Sequence, residues 1–160
     1  MLAKLQKVEK GYMALFERHF KQSTEEVWAY LTENPKLEQW FTELEVKDLR
    51  KDGLIKFNMP DGSHLDITII DLEPHAVLAY TWGEDQVRFE LSSEPSGCQL
   101  LLKEDITAIT SHTPKDLAGW HVCLDVIEAL LDGKTIDRHA EWERMYGQYI
   151  QAVEKVAVNP

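Results

Sequence analysis

The hydrophobic period of this chain changes at two places, and those changes leave few folds open. From Glu43 to Thr107 apolar residues alternate with polar ones, the period of strands that bury one face. Turn signals interrupt the run at Asp52-Gly53, Asp61-Gly62, Pro74, Gly83 to Asp85 and Pro95-Ser96-Gly97. An aspartate–glycine pair favours a hairpin because the glycine accepts positive φ. The spacing predicts six consecutive strands in an antiparallel meander, the first three near 43–50, 53–59 and 64–72. At Thr113-Pro114 the period becomes three and four, through Leu117, Trp120, Leu124, Ile127 and Leu131, with Cys123 and Leu130 widening the stripe. Threonine is expected to cap this long helix, with proline in its first turn, Asp116 against the positive end of its dipole and Gly133 closing it. A sheet with one greasy face and a helix with one greasy stripe bury each other, which is an α+β solution.

The chain upstream adds a strand over residues 12–20 and two very short helices. Ser23 and Glu26 form a capping box, Val27, Tyr30 and Leu31 give the first helix its stripe, and Asn34-Pro35 ends it and starts the second. Leu37, Trp40 and Phe41 face that second helix inward, and neither piece is long enough to be stable alone. Leu2, Leu5 and Val8 are spaced like a helical face, so the first ten residues are expected to form a docked helix. A last helical pattern runs from about 140 to 156, with Trp142, Met145, Tyr146, Tyr149 and Val153 on one side. The expectation is a single domain over 1–160, with a core at 12–132, an N-terminal extension at 1–11 and an additional helix at 138–156.

Charge narrows the choice of partners. With 28 acidic residues against 17 basic, the formal charge is −11, which repels phosphate backbones and anionic membranes, so nucleic acid is not an expected partner. No stretch approaches transmembrane length, and residues 1–10 lack a signal-peptide core. Cys98 and Cys123 have no metal or redox spacing and read as reduced core residues of a cytoplasmic protein, with one disulfide as the alternative. The six histidines show no zinc spacing, and no phosphate loop or nucleophile elbow appears. No cofactor is implied, and nothing in the residues argues for catalysis.

Three motifs in order carry a family likeness. Val27-Trp28-Ala29-Tyr30-Leu31-Thr32 with Pro35 and Trp40-Phe41 comes first; Leu72-Glu73-Pro74 with Leu78-Ala79-Tyr80-Thr81-Trp82 follows; Gly119-Trp120 with Leu124 and Leu130-Leu131 is last. Together they resemble the activator of heat-shock protein 90 ATPase homologue-like family of the SRPBCC (START-like) superfamily, over roughly residues 12–155. The resemblance implies a helix-grip fold, a curved antiparallel sheet wrapped around a long helix, often with a cavity between them. Two departures stand out: Cys98 where relatives often carry threonine, and Glu104-Asp105 where a histidine–serine pair is common. The second lies in the expected pocket, so ligand preference does not transfer from relatives.

Alternation assigns the inward side chains. Phe57, Leu65, Ile67, Val87, Phe89, Leu91, Leu100 and Leu102 are expected to face the long helix, opposite Leu117, Trp120, Leu124 and Ile127. From these, Phe57, Leu65, Ile67, Phe89, Leu102 and Leu124 are candidate ligand contacts, and the plain alternative is that they fill the core. Among the tryptophans, Trp82 and Trp120 are assigned to the pocket and Trp28 to a buttress. Glu104 shares parity with Leu100, Leu102 and Ile106, which turns a carboxyl inward among aliphatics and raises its pKa unless it is paired. The alternative sets Glu104 at the cavity mouth, hydrated or bonded to a tyrosine or histidine. His121 and His112 are within sequence reach of an acid–base pair with Glu104, the other reading being that one is solvent-exposed and the other caps or bonds locally, while His64, Asp66 and His75 are expected on the surface.

The function expected from these observations is non-catalytic binding of a small hydrophobic or amphipathic molecule between sheet and helix. A cyclase- or aromatase-like enzyme using Glu104 is the first alternative, and a protein-interaction module related to chaperone activators is the second. A homodimer through a sheet edge or the last helix is compatible with the same pattern.

Overall fold

The structure is a computed structural model and describes residues 2–158. Eight strands form one sheet: β1 (Lys4–Val8), β2 (Gly11–Phe20), β3 (Leu44–Asp48), β4 (Leu54–Asn58), β5 (His64–Glu73), β6 (Val77–Trp82), β7 (Asp85–Glu94) and β8 (Gly97–Ile106). Their order is β1-β2-β8-β7-β6-β5-β4-β3, with antiparallel neighbours throughout. The helices are α1 (Thr24–Thr32), α2 (Asn34–Leu37), α3 (Thr113–Leu131) and α4 (Arg138–Val158). This is the α+β helix-grip fold, a curved sheet closed over α3.

Residues 2–10 are not a helix. Lys4 to Val8 pair with Leu15 to Gly11 as a hairpin, making β1 an edge strand. Leu2, Leu5 and Val8 suit a helix spacing, but a neighbouring ladder satisfies the backbone better than one exposed turn does. Gly11 makes the hairpin possible. It sits at φ +119°, and a Cβ there would lie 2.3 Å from the Ile106 carbonyl oxygen.

Local chemistry sets most element ends. The Ser23 hydroxyl accepts from the Glu26 N–H at 3.2 Å, the cap expected from the sequence and worth about 1 kcal/mol. The Asn34 side chain accepts from Val46 N–H at 2.7 Å and donates to Val46 O at 3.0 Å, stitching the short helices to edge strand β3. Thr113 does not cap α3. His112 is the cap residue and makes no side-chain bond, while the Thr113 hydroxyl accepts from Thr110 N–H at 2.9 Å in the preceding turn. At the other end Gly133 N–H and Lys134 N–H donate back to Leu130 O and Ala129 O, closing the helix as expected. The Asp52-Gly53 turn puts the positive φ on Asp52 (66°) rather than on the glycine. Gly53 is needed for space instead, since a Cβ would meet the Asp48 carbonyl oxygen at 2.0 Å.

The core lies between the concave sheet face and α3, where Phe16, Phe89, Leu100, Leu102, Leu117, Leu124 and Ile127 are fully buried. Each such side chain contributes roughly 1.5–3 kcal/mol of burial. The helix is covered on its other side as well. Ala118, Val122 and Ala129 are buried, and α4 crosses there, tied to the chain by Arg138 Nη1–H donating to Trp40 O at 2.8 Å. A third feature shapes the site. β5 pairs with β4 through Thr68 and with β6 only from Ile69 onward, with a register shift between Ile69 and Asp71. The sheet therefore splays between β5 and β6 around Ile67, Thr81 and Trp82, and Thr68 N–H finds the Thr81 hydroxyl at 3.0 Å instead of a ladder partner.

Candidate functional site

Where the sheet splays, a cavity of about 730 Å³ opens between β4–β8 and the first turn of α3. Its apolar wall is Phe57, Met59, Leu65, Ile67, Trp82 and Ile106. Phe57 pairs with Leu65 across β4 and β5, which sets both on the concave face. Leu65, 57% exposed, stands at the mouth. A ligand entering here exchanges water for aliphatic and aromatic surface, the usual makeup of a small-molecule site.

From the wall inward the aromatics form a continuous cluster of tilted and edge-to-face contacts. The Trp82 ring centroid lies 5.0 Å from that of Trp120 and 6.0 Å from Phe57, and Phe41 touches Phe57, Trp82 and Trp120 at 5.8–5.9 Å. Trp82 is held by Nε1–H donating to Asp116 Oδ1 at 2.9 Å. Asp116 lies one helical turn before Trp120, which places its carboxylate on the same face and on the cavity wall. Its role is thus wider than support of the helix dipole. That four-residue spacing was the available signal for it.

Glu104 lies behind Asp116, outside the cavity lining, and is fully buried. It faces inward from β8 between Ala14 and Val87, as alternation predicts. It is not at the mouth, and its carboxyl is turned toward that of Asp116 rather than toward a cation. Burial, reinforced by the neighbouring Asp116 and then by Asp85, holds it protonated well above the usual carboxylate range. Among the other expected contacts, Phe57, Leu65, Ile67 and Trp82 line the cavity, whereas Phe89, Leu102, Trp120 and Leu124 are packed in the core behind it. Thr81, Asp85, Ile106 and Thr113 line it and were not singled out as site residues; Ile106 shares the parity of Glu104, which was the clue.

His121 is on the far side of α3. Tyr149 accepts from Ala3 N–H at 2.9 Å and so donates its hydroxyl proton to His121 Nδ1 at 2.8 Å. That leaves the ring proton on Nε2, 3.5 Å from Asp125 Oδ2. Burial, aided by the Arg18 charge, pushes His121 down to about 3. Burial also pushes Asp125 up to about 6, against the pull of Arg18 3.7 Å away. This network pins β1, α3 and α4 together beside a second depression of about 480 Å³ between the two long helices. His112, by contrast, is exposed on the rim of the main cavity. Among the described residues no group of three or more His, Cys, Asp or Glu is placed to hold a metal ion. Both cysteines are free, and burial raises Cys123 to about 12.

Comparison with known proteins places this geometry. The conserved protein of unknown function EF2215 from Enterococcus faecalis superposes with a TM-score of 0.83 at 24% identity, over 96% of this chain and 91% of that one. CalU16 from Micromonospora echinospora superposes with a TM-score of 0.73 at 21% identity, over 96% of both chains. The protein encoded by BPP1335 of Bordetella parapertussis gives 0.71 at 24% identity, over 87% and 85%. At these identities the likeness is one of fold. No curated protein sequence matches the chain. The family profile described as Activator of Hsp90 ATPase homolog 1-like protein matches residues 21–132, more than half of the chain, running from the capping box through the splayed sheet to the end of α3, and the protein belongs to that family.

Proposed function

We propose that the chain binds a small hydrophobic or amphipathic molecule in the cavity between the sheet and α3, with Phe57, Leu65, Ile67 and Trp82 as its contacts. The observation that carries this reading is the splay between β5 and β6, which leaves about 730 Å³ lined by aliphatic and aromatic side chains and open at Leu65. A cavity of that size and lining is what a ligand site requires. Trp120, Phe89, Leu102 and Leu124 act behind the wall, setting its shape rather than touching the ligand. Glu104 serves as a neutral polar group behind the inner end. Two free, buried cysteines accord with a cytoplasmic protein, and among the described residues no helix is long and apolar enough to cross a membrane.

Native mass spectrometry of the protein from its own cells tests this, with Ile67→Trp as the companion that fills the cavity. A reproducible added mass of a hydrophobic molecule on the parent chain, lost in Ile67→Trp, is the expected result. Equal added mass on both chains would move the binding elsewhere. A clean apo mass on both would remove the support for a retained ligand.

A further inference from the structure

The chemistry of the inner end of this cavity says which amphiphile fits, granted that the cavity is a ligand site. Asp116 and Asp85 both line it, and Glu104 lies directly behind Asp116. No lysine or arginine is among the lining residues, and the one side chain there able to carry positive charge is His112, exposed at the rim. Glu84 adds a further carboxylate at the mouth. Asp66 lines the cavity from β5, so the lining carries four carboxylates and no lysine or arginine.

Each of the three inner carboxyls has at most part of its hydrogen-bonding capacity taken up by the fold. Glu104 is fully buried with the Asp116 carboxyl as its polar neighbour, and a carboxyl buried without a cation costs stability compared with an apolar residue of the same shape. Asp116 Oδ1 accepts from Trp82 Nε1–H, and its carboxylate also faces Glu104 while lining the cavity. Asp85 likewise uses one oxygen for Thr107 N–H at 2.8 Å. Trp82 and Phe57 line the same cavity, and an aromatic face attracts an organic cation.

We infer that the cavity selects an amphiphile with a cationic head, an ammonium or protonated amine on an apolar chain or ring, and rejects carboxylate-headed lipids. The head sits against Asp116 and Asp85, and the apolar body lies along Phe57, Leu65, Ile67 and Trp82. Desolvating an anionic head beside these carboxylates adds like-charge repulsion to the cost of burial. An ammonium replaces part of its lost hydration with charge-assisted hydrogen bonds.

Isothermal titration with decylammonium, 1-decanol and decanoate at pH 7, each below its aggregation limit, separates the possibilities. The expected result is decylammonium binding at least tenfold tighter than decanol, a difference of about 1.4 kcal/mol, and decanoate binding weakest. Asp116→Asn keeps an acceptor for Trp82 and is expected to bring the ratio of decylammonium to decanol affinity close to one; Asp85→Asn repeats the test if that chain does not fold. Equal affinity for ammonium and alcohol, or an ammonium advantage unaltered in the folded variant, overturns cation selectivity and leaves the cavity reading intact. Binding of none of the three probes overturns the cavity reading, and the inference with it.

Discussion

Acidification of the parent chain and of His121→Gln should separate by roughly 2 kcal/mol between pH 7.5 and pH 5. His121 is 4% exposed and is held at about 3 against an ordinary value of 6.5. Its folded pKa is depressed, so the stability is fully present above pH 6.5 and is lost as pH falls toward 3, because the unfolded chain takes up a proton that the folded one refuses. One pKa unit is about 1.4 kcal/mol, and by pH 5 about 1.5 units of the His121 window have been crossed, hence roughly 2 kcal/mol. Asp125 works in the opposite direction. Its folded pKa is raised from 3.8 to about 6, so folding gains on acidification from pH 7.5 to 5, by somewhat over 1 kcal/mol on the same conversion. The parent chain therefore shows a shallow net loss over this range from the pair, and the variant, which retains Asp125 alone, shows a gain. Urea unfolding followed by tryptophan fluorescence at several pH values measures both slopes. Absolute stability of the variant will drop because Tyr149 loses its acceptor, but the slope is independent of that offset. Parallel pH profiles for the two chains would refute the claim that His121 is neutral in its buried network.

Glu104→Gln should gain stability relative to the parent chain as pH rises, since a carboxyl whose folded pKa is raised above 4.5 costs the fold progressively once the unfolded chain can ionise there. A stability difference that stays constant from pH 5 to pH 8 would show that Glu104 is ionised or solvated in the folded chain. Gly53→Ala should destabilise by about 2 kcal/mol, the range for forced overpacking, because the added methyl meets backbone at Asp48 rather than a flexible side chain; thermal unfolding at the parent level would contradict that contact.

The capping box at Ser23, the meander and the stripe on α3 were legible in the sequence because each depends on neighbours a few residues away. Period two, period three to four, and the turn residues are local signals, and the family likeness strengthened them by requiring all three motifs in order. Glu104 was legible for the same reason, since parity along one strand turns it inward. The N-terminal hairpin was not, because Leu2, Leu5 and Val8 satisfy a helical spacing as well as an edge strand, and only the presence of β2 selects the ladder. His121 was misplaced by a related ambiguity. Adjacent to Trp120, it lies 100° around the helix, and whether that side meets the sheet or α4 depends on where α4 packs.

The sequence by itself determined the order of elements, the side of each strand that turns inward, and the family. Tertiary structure alone decided that the chamber is open. Phe57, Ile67 and Trp82 alternate like the core residues Phe89 and Leu102, yet they line a cavity because β5 leaves β6 at Ile69 and the sheet splays there. Whether an inward side chain is packed or exposed to a ligand depends on the distance between elements far apart in the chain, and no periodicity records that distance. The proximity of Asp85, Glu104 and Asp116 has the same origin, since two strands and a helix supply one carboxyl each.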